Sequence, residues 1–182
     1  MPYMYKTIVN PLIRDEVTFK QTAESTNGRI TSLTVTLMPG GGTPMHYHRR
    51  FTETFIVTDG ELTIELKNKT FRLTEGQEFT VGKNVAHRFE NRSKKAVIFS
   101  TIILPGSTGF ENALCILYGL ARDKRTNSKG IPVNLLELAA ISEMSDMHQA
   151  GAAAILSPVI KIFAVIAQMT NVRKRLILKY CS

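Results

Sequence analysis

Residues 29–104 alternate between short β-rich segments and turn residues, and this rhythm constrains the fold more than any other feature of the sequence. Segments such as RITSLTVTL, ETFIVT and KAVIFSTIIL are rich in the β-branched and aromatic residues that strands favour. Asp59-Gly60 separates two such segments as a hairpin turn would. Many short strands at close spacing predict a mainly β fold, an antiparallel sandwich or barrel.

The period of the apolar residues changes after residue 106. The segment GFENALCILYGLARD (109–123) repeats apolar residues at helical spacing. The segment PVNLLELAAISEMSDMH (132–148) predicts a second apolar helix, whose proline would lie in the first turn. We therefore predict a β-domain over 1–106 and a helical extension of about three helices over 107–182.

A third, long helix is predicted from Ser157-Pro158, a typical N-cap and first-turn pair, to about Tyr180. On such a helix one narrow polar stripe would form from Ser157, Lys161, Gln168, Arg175 and Lys179. The other faces are nearly all apolar, and a helix of this kind normally packs against protein on several sides. We expect it to contact the other helices and a second subunit, so that the chain forms a homodimer.

The alternative is that this helix lies on an anionic membrane surface through the basic cluster at 173–175. The net charge of +8 does not indicate nucleic acid, because the segment after residue 150 supplies +5 of it through five basic residues and no acidic one. These charges gather at the far end of an apolar helix rather than on a short recognition helix. No nucleic-acid partner is expected.

The two cysteines, Cys115 and Cys181, match no zinc or redox spacing. The first residues contain no apolar stretch or cleavage site typical of a signal peptide. We therefore predict reduced thiols in a cytoplasmic protein.

Two of the four histidines, His46 and His48, lie one residue apart and would project from the same face of a strand. Glu53 lies at odd spacing from them, so the chain must bend before Glu53 begins the next strand. A third histidine, His87, belongs to a later β-rich segment. His148, in the predicted second helix, has no partner at matching spacing and is interpreted as a solvated helix residue.

The spacing of these residues resembles the two sequence motifs of the cupin superfamily. Every fixed position of the first motif is present, as Gly40, His46, His48, Glu53 and Gly60. The second motif is matched by Gly76, His87 and Asn91, whereas Gly82 replaces its proline and Asn84 its glycine. Glycine and asparagine both tolerate unusual backbone angles, so these departures affect a turn rather than a ligand.

The resemblance covers about residues 29–106 and implies a small antiparallel cupin β-barrel (a jelly roll). It implies that His46, His48, Glu53 and His87 converge inside the barrel on one divalent metal. Three imidazoles and a carboxylate suit iron(II), manganese, nickel, cobalt, copper or zinc. Four protein ligands would leave about two positions of an octahedral ion for water or substrate.

A cupin fold does not determine a function. The first hypothesis is a metal-dependent enzyme, of oxygenase, isomerase or lyase type, that acts on a small organic molecule. The second is a non-catalytic sensor that binds a small ligand and passes the event to the helical extension. Four arginines could meet an acidic substrate at the barrel mouth or be solvated charges, and spacing does not separate these cases: Arg49, Arg50, Arg72 and Arg88.

Overall fold

The structure is a computed structural model and describes residues 6–150 and 157–181 of the 182-residue chain. Within these ranges the strands are β1 (Thr7–Asn10), β2 (Asp15–Gln21), β3 (Thr31–Leu37), β4 (His46–Tyr47), β5 (Thr52–Asp59), β6 (Glu61–Leu66), β7 (Thr70–Thr74), β8 (Glu78–Val81), β9 (His87–Glu90), β10 (Val97–Leu104) and β11 (His148–Gln149). The helices are α1 (Thr108–Arg122), α2 (Leu135–Ser145), α3 (Ser157–Met169) and α4 (Val172–Tyr180).

The strands form two antiparallel sheets that enclose the core. One sheet has the order β1-β2-β3-β10-β5-β8, and the other has the order β11-β4-β9-β6-β7. Burial alternates along β3, β5 and β10, so every second side chain points into the space between the sheets. A cluster of aromatic rings fills the centre, from Phe55, Phe89 and Phe99. The predicted mainly β barrel followed by helices is confirmed.

Two strands at the N-terminal side of the barrel, β1 and β2, were not predicted from the sequence. In β2 the buried side chains alternate and include Asp15, Val17 and Phe19. The charged Asp15 interrupts what would otherwise be a plain apolar alternation. Strand β2 pairs with β3 along its length and thereby extends the first sheet.

The first two helices begin at polar caps. Ser107 accepts a hydrogen bond from the N–H of Phe110, and α1 agrees with its predicted position. The prediction that the second helix begins at the proline, Pro132, is wrong, because Asn134 is the N-cap and α2 begins at Leu135. The side chain of Asn134 accepts hydrogen bonds from the N–H groups of Leu136 and Glu137 in the first turn, whereas a proline side chain has no acceptor atom.

The predicted single third helix is two helices. Helix α3 ends at Met169, and Asn171 adopts a left-handed conformation with φ of 56° before α4 begins. Since a helix cannot continue through that conformation, the polar stripe predicted from Ser157 to Lys179 is not one continuous face. Helix α4 returns to α1, where the ring of Tyr180 packs directly over Gly119.

The helical extension packs against the barrel, and one apolar core runs through both. Buried Glu111 of α1 accepts hydrogen bonds from the N–H of Ala23 and the hydroxyl of Thr31, which ties the helix to the first sheet. None of the helices within the described ranges has the length and hydropathy that a membrane span requires. The predicted boundary at residue 106 falls between β10 and α1.

Candidate metal centre

Strands from both sheets bring the four motif residues together. His46 of β4 lies directly opposite His87 of β9 in the antiparallel register. His48 follows β4 by one residue, and Glu53 is the second residue of β5, after the bend that the sequence predicts. Tyr47, between the two histidines, is only half-buried, so His46 and His48 project together into the barrel as expected.

The four side chains form one compact, buried cluster. The candidate ligand atoms of His46, His48, Glu53 and His87 all lie within 4.8 Å of one another. Their exposed fractions are 2%, 3%, 5% and 1%, in that order. These atoms are close enough together that the group could hold a single ion, and among the described residues this is the group of His, Cys, Asp and Glu that could do so.

Backbone carbonyls fix the orientation of all three imidazoles. The Nδ1 atom lies 2.7 Å from the Pro44 carbonyl in His46 and 3.0 Å from the Val85 carbonyl in His87. In His48 it lies 3.1 Å from the Asp146 carbonyl. Because a carbonyl oxygen only accepts, each Nδ1 carries the proton and each Nε2 is left with a lone pair. Proteins orient metal-binding histidines in this way.

When all three imidazoles are neutral, their Nε2 atoms and the Glu53 carboxylate are acceptors without donors. Oε2 of Glu53 lies 3.0 Å from Nε2 of His87 and 3.5 Å from Nε2 of His48. The second distance is compatible with an ion pair but not with a well-formed hydrogen bond, and Nε2 of His48 is buried without a hydrogen-bond partner among the described residues. A cation at the centre would satisfy these lone pairs and the carboxylate together, so the donor set fits a divalent transition metal.

The protonation equilibria of His46 and Glu53 favour this state. At His87 they do not, because burial alone would lower its pKa but the hydrogen bond to Glu53 outweighs burial and raises the pKa. Burial, with the neighbouring His87 and His48, lowers the pKa of His46 to about 3, so this imidazole is neutral at neutral pH. Burial alone would raise the pKa of Glu53, but its interactions with His48 and His87 outweigh burial and hold the pKa below its usual range. Glu53 is therefore an ionised carboxylate and His46 is a neutral ligand.

Asp146, in the helical extension, positions one of the candidate ligands and was not found from the sequence. Its carbonyl accepts from Nδ1 of His48, and its carboxylate accepts from the backbone N–H groups of Arg49 and Arg50, both at 2.7 Å. Burial alone would raise the pKa of Asp146, but these N–H groups outweigh it and lower the pKa. The contacts span about a hundred residues of sequence, which no local motif records.

The turn between β8 and β9 also contacts the cluster. Asn84 stands where the motif has a glycine. Its φ of 62° lies in the left-handed region, which glycine adopts readily and asparagine tolerates. Its N–H donates to the carbonyl of His48 at 2.6 Å, and the next residue, Val85, supplies the carbonyl that orients His87. The departures from the second motif therefore lie in a turn that retains its contacts to two candidate ligands.

His148 is not part of the cluster, and the prediction of a solvated helix residue is wrong. Helix α2 ends at Ser145 because Asp146 adopts a left-handed conformation with φ of 53°. His148 then lies in β11, opposite Tyr47 of β4, and its ring stacks on that of Tyr47. Its Nε2 lies 3.0 Å from Oδ1 of Asp146.

A cavity of about 250 Å³ opens beside the candidate metal ligands. Its walls come from the first sheet, from α1 and from α2, and His46, His48 and Glu53 form part of its surface. Most of the other lining side chains are apolar, so the cavity suits a small organic molecule. The described residues that line it include none of the four arginines considered above, and three of these arginines pair with carboxylates instead: Arg50 with Asp146, Arg72 with Glu61 and Arg88 with Glu65.

Most of the barrel matches a known domain family. The family model Cupin_2, described as "Cupin domain", matches residues 33–103, the segment that contains all four clustered side chains. Residues 33–103 therefore form a cupin domain. The resemblance found in the two sequence motifs is confirmed over that segment. A comparison with curated protein sequences found no match.

The chain is also similar to several solved structures. A sugar phosphate isomerase from a cupin superfamily, from Silicibacter pomeroyi, is 16% identical with a TM-score of 0.49, over 55% of this chain and 71% of that one. A predicted oxalate decarboxylase from Thermotoga maritima is 18% identical with a TM-score of 0.48, over 50% and 80%. KdgF from Halomonas sp. is 16% identical with a TM-score of 0.46, over 50% and 81%. Similarity at this level does not transfer a reaction or a substrate to this chain.

Proposed function

We propose that this cupin is a metal-dependent enzyme that acts on a small organic molecule, by a reaction of oxygenase, isomerase or lyase type. The observation that carries the proposal is the position of the cluster. His46, His48 and Glu53 line the cavity and lie within ligand distance of His87. Four protein ligands leave about two positions on an octahedral ion, and an open position is typical of catalytic rather than structural metals.

In this proposal the four side chains hold one divalent metal, such as iron, manganese, nickel, cobalt, copper or zinc. When bound, such an ion supplies a Lewis acid or an oxygen-activating centre. The chain itself contributes neutral imidazoles held in one orientation and a buried, ionised carboxylate. The apolar cavity wall excludes water from the bound molecule, which strengthens electrostatic interactions within the site.

A second candidate function is a non-catalytic sensor, and one contact favours it. Asp146 belongs to the helical extension and orients His48, so a change at the metal centre would be transmitted to that extension. An enzyme and a sensor differ in what happens to the small molecule. An enzyme consumes it in more than one turnover per site, whereas a sensor retains it unchanged.

The experiment has two stages. Elemental analysis of protein purified without chelators or nickel affinity resin should find about one transition metal per chain. The metal-loaded protein is then incubated with a small-molecule extract of its expression host and compared with a His46→Ala variant by mass spectrometry. Depletion of a compound by many equivalents, only with the wild-type chain, supports the enzyme; stoichiometric retention supports the sensor. A chain that carries no metal in the first stage contradicts both forms of the proposal.

We further propose that the protein is a cytoplasmic homodimer that associates through α3. Support comes from a group of exposed apolar side chains on that helix, from Val159, Ile162, Val165, Ile166 and Met169. An apolar face of this kind is typical of an interface. Ile162→Lys should convert a dimer to a monomer in light scattering, whereas the matched surface change Lys94→Ile should not. A wild-type chain of monomeric mass contradicts the dimer.

A further inference from the structure

The cavity extends well beyond the candidate metal ligands, and a second polar site lies in its wall. The strand register places Glu53 of β5 opposite Ile103 of β10. Asp15 of β2 lies opposite Leu37 of β3, and Leu37 lies opposite Val97 of β10. Ile103 and Val97 are six residues apart, or roughly 20 Å along an extended strand. Both Glu53 and Asp15 nevertheless line the same cavity. The cavity is therefore elongated, with the two carboxylates far apart.

Asp15 is paired through only one of its two carboxylate oxygens. The hydroxyl of Tyr118, on α1, donates to Oδ2. The other oxygen, Oδ1, is buried and has no hydrogen-bond partner among the residues that the structure describes. The residue is 6% exposed, and both Asp15 and Tyr118 line the cavity. A buried carboxylate oxygen without a donor is costly unless something else supplies one.

Burial raises the pKa of Asp15 to about 6, although the hydrogen bond from Tyr118 opposes this rise. At neutral pH the group is still mostly ionised, so Oδ1 is a strong acceptor. The side chains between this pair and the metal centre offer mostly apolar surface, from Val17, Leu33, Val35, Leu114, Leu117 and Ile141, although the hydroxyl-bearing Thr101 also lines the cavity. A molecule that fills the cavity thus meets mostly apolar walls along its body and an acceptor at the Asp15 end.

We infer that the Asp15–Tyr118 pair is a recognition site for the donor end of an elongated, mostly apolar ligand that carries a hydroxyl or an amino group. The donor group bonds to Oδ1 of Asp15 while Tyr118 holds Oδ2. This inference deepens the proposed function, since it names the class of molecule whose remaining part extends toward the metal centre. The recognition itself requires neither the metal nor a reaction.

The experiment measures binding of three probes of equal chain length by calorimetry: octan-1-ol, octylamine and octyl methyl ether. The ether oxygen cannot donate a hydrogen bond, whereas the alcohol donates as a neutral group and the amine as a cation. In the wild-type chain the alcohol, the amine or both should bind at least about tenfold more tightly than the ether, as expected for a bond to a charged acceptor. The same preference should be found in metal-free and zinc-loaded protein. The binding test therefore remains valid even if the protein binds no metal or turns over no substrate.

The decisive variant is the double replacement Asp15→Leu/Tyr118→Phe. It removes the acceptor without leaving the tyrosine hydroxyl unpaired, so that it is far less damaging to the fold than a single replacement of Asp15. The preference over the ether should fall to within about threefold, because only the apolar contacts remain. The control is the exposed Asp59→Asn, which should retain the preference.

A second variant tests the location without changing Asp15. Leu117→Trp fills the cavity from α1 and should weaken binding of all three probes at least about tenfold. Equal affinities of the three probes for the wild-type chain would overturn the inference, and so would no binding at all. A preference that survives in the double variant, or probe affinities that Leu117→Trp leaves unchanged, would also overturn it.

Discussion

The two polar ends of the cavity are held by different kinds of contact. At the metal centre, backbone carbonyls orient all three imidazoles, so the geometry is set by the main chain of the barrel and of Asp146. At the other end, Asp15 is held by one side chain, Tyr118, and one of its oxygens has no partner among the described residues. The first arrangement is preorganised for an ion, whereas the second can adapt to the donor group of a ligand.

The largest effect is expected when a histidine of the metal centre is removed. His46→Ala, His48→Ala or His87→Ala should each weaken metal binding by orders of magnitude, because each ligand's contribution depends on the others being present. A second replacement should add little. Glu53→Gln should be milder, since an amide oxygen can still coordinate. Metal content and competition with a chelator measure these effects.

The control for this series is His148→Ala, whose ring lies on Tyr47 outside the cluster. It should leave the metal content unchanged. If His46→Ala and His48→Ala were equally silent, the cluster would be a buried polar group without a metal, and the contrast between the two ends of the cavity would disappear.

The next effect concerns Asp15 and is read from the pH dependence of stability. Because the folded-state pKa is raised from 3.8 to about 6, Asp15 contributes stability that is fully present below pH 4 and lost as the pH rises to about 6. That loss amounts to about 3 kcal/mol. Asp15→Asn has no such charge, so its free energy of unfolding relative to wild type should rise by up to this amount between pH 4 and pH 6.

Urea denaturation of metal-free protein at several pH values tests this expectation. The exposed Asp59→Asn is again the control and should follow the wild-type curve. A constant difference between Asp15→Asn and wild type across that range would show that Asp15 has an ordinary pKa and that its end of the cavity is hydrated.

A smaller effect is expected at Asp146, which supports the metal centre without belonging to it. Asp146→Gly removes the carboxylate that holds the N–H groups of Arg49 and Arg50, while glycine still accepts the left-handed backbone conformation. Metal affinity should fall by about 10- to 100-fold, the usual range for residues that orient a ligand. Asp146→Asn keeps one acceptor oxygen and should fall by less. Equal affinities in all three proteins would refute a positioning role.

The smallest effect is expected in the turn that departs from the second cupin motif. Asn84→Gly keeps the left-handed conformation and the N–H that donates to His48. A side chain at Gly82 would meet only Val85 at 3.7 Å, an ordinary contact, so Gly82→Pro should also be tolerated. Metal stoichiometry should be unchanged in both. A marked change would mean that this turn positions His87 more tightly than its contacts indicate.

The sequence predicted one end of the cavity well and the other not at all. The spacing from His46 to Glu53 and the later His87 predicted the cluster, because these residues stand at fixed positions of short motifs. Asp15 and Tyr118 belong to no motif and are 103 residues apart, so only the packing of α1 on β2 brings them together. In addition, the sequence of a strand does not show whether an acidic residue is buried or exposed when its hydrogen-bond partner is unknown.

The helical extension shows a second limit of sequence reasoning. Apolar periodicity predicted α1 within about a residue but continued the second helix through His148 and the third through Asn171. Both interruptions are left-handed residues, Asp146 and Asn171. Aspartate and asparagine adopt that conformation only when local contacts favour it, so their presence in a helical pattern does not show that the helix stops there.

The bond from His48 to the carbonyl of Asp146 has a thermodynamic consequence. If docking of the segment around α2 and β11 tightens metal binding by some factor, the metal must stabilise that docking by the same factor, because such coupling is reciprocal. Loading the metal should then slow amide hydrogen exchange in the region of residues 135–149 more than in β7, which lies at the far edge of the second sheet. Conversely, local unfolding of that segment would release the ion.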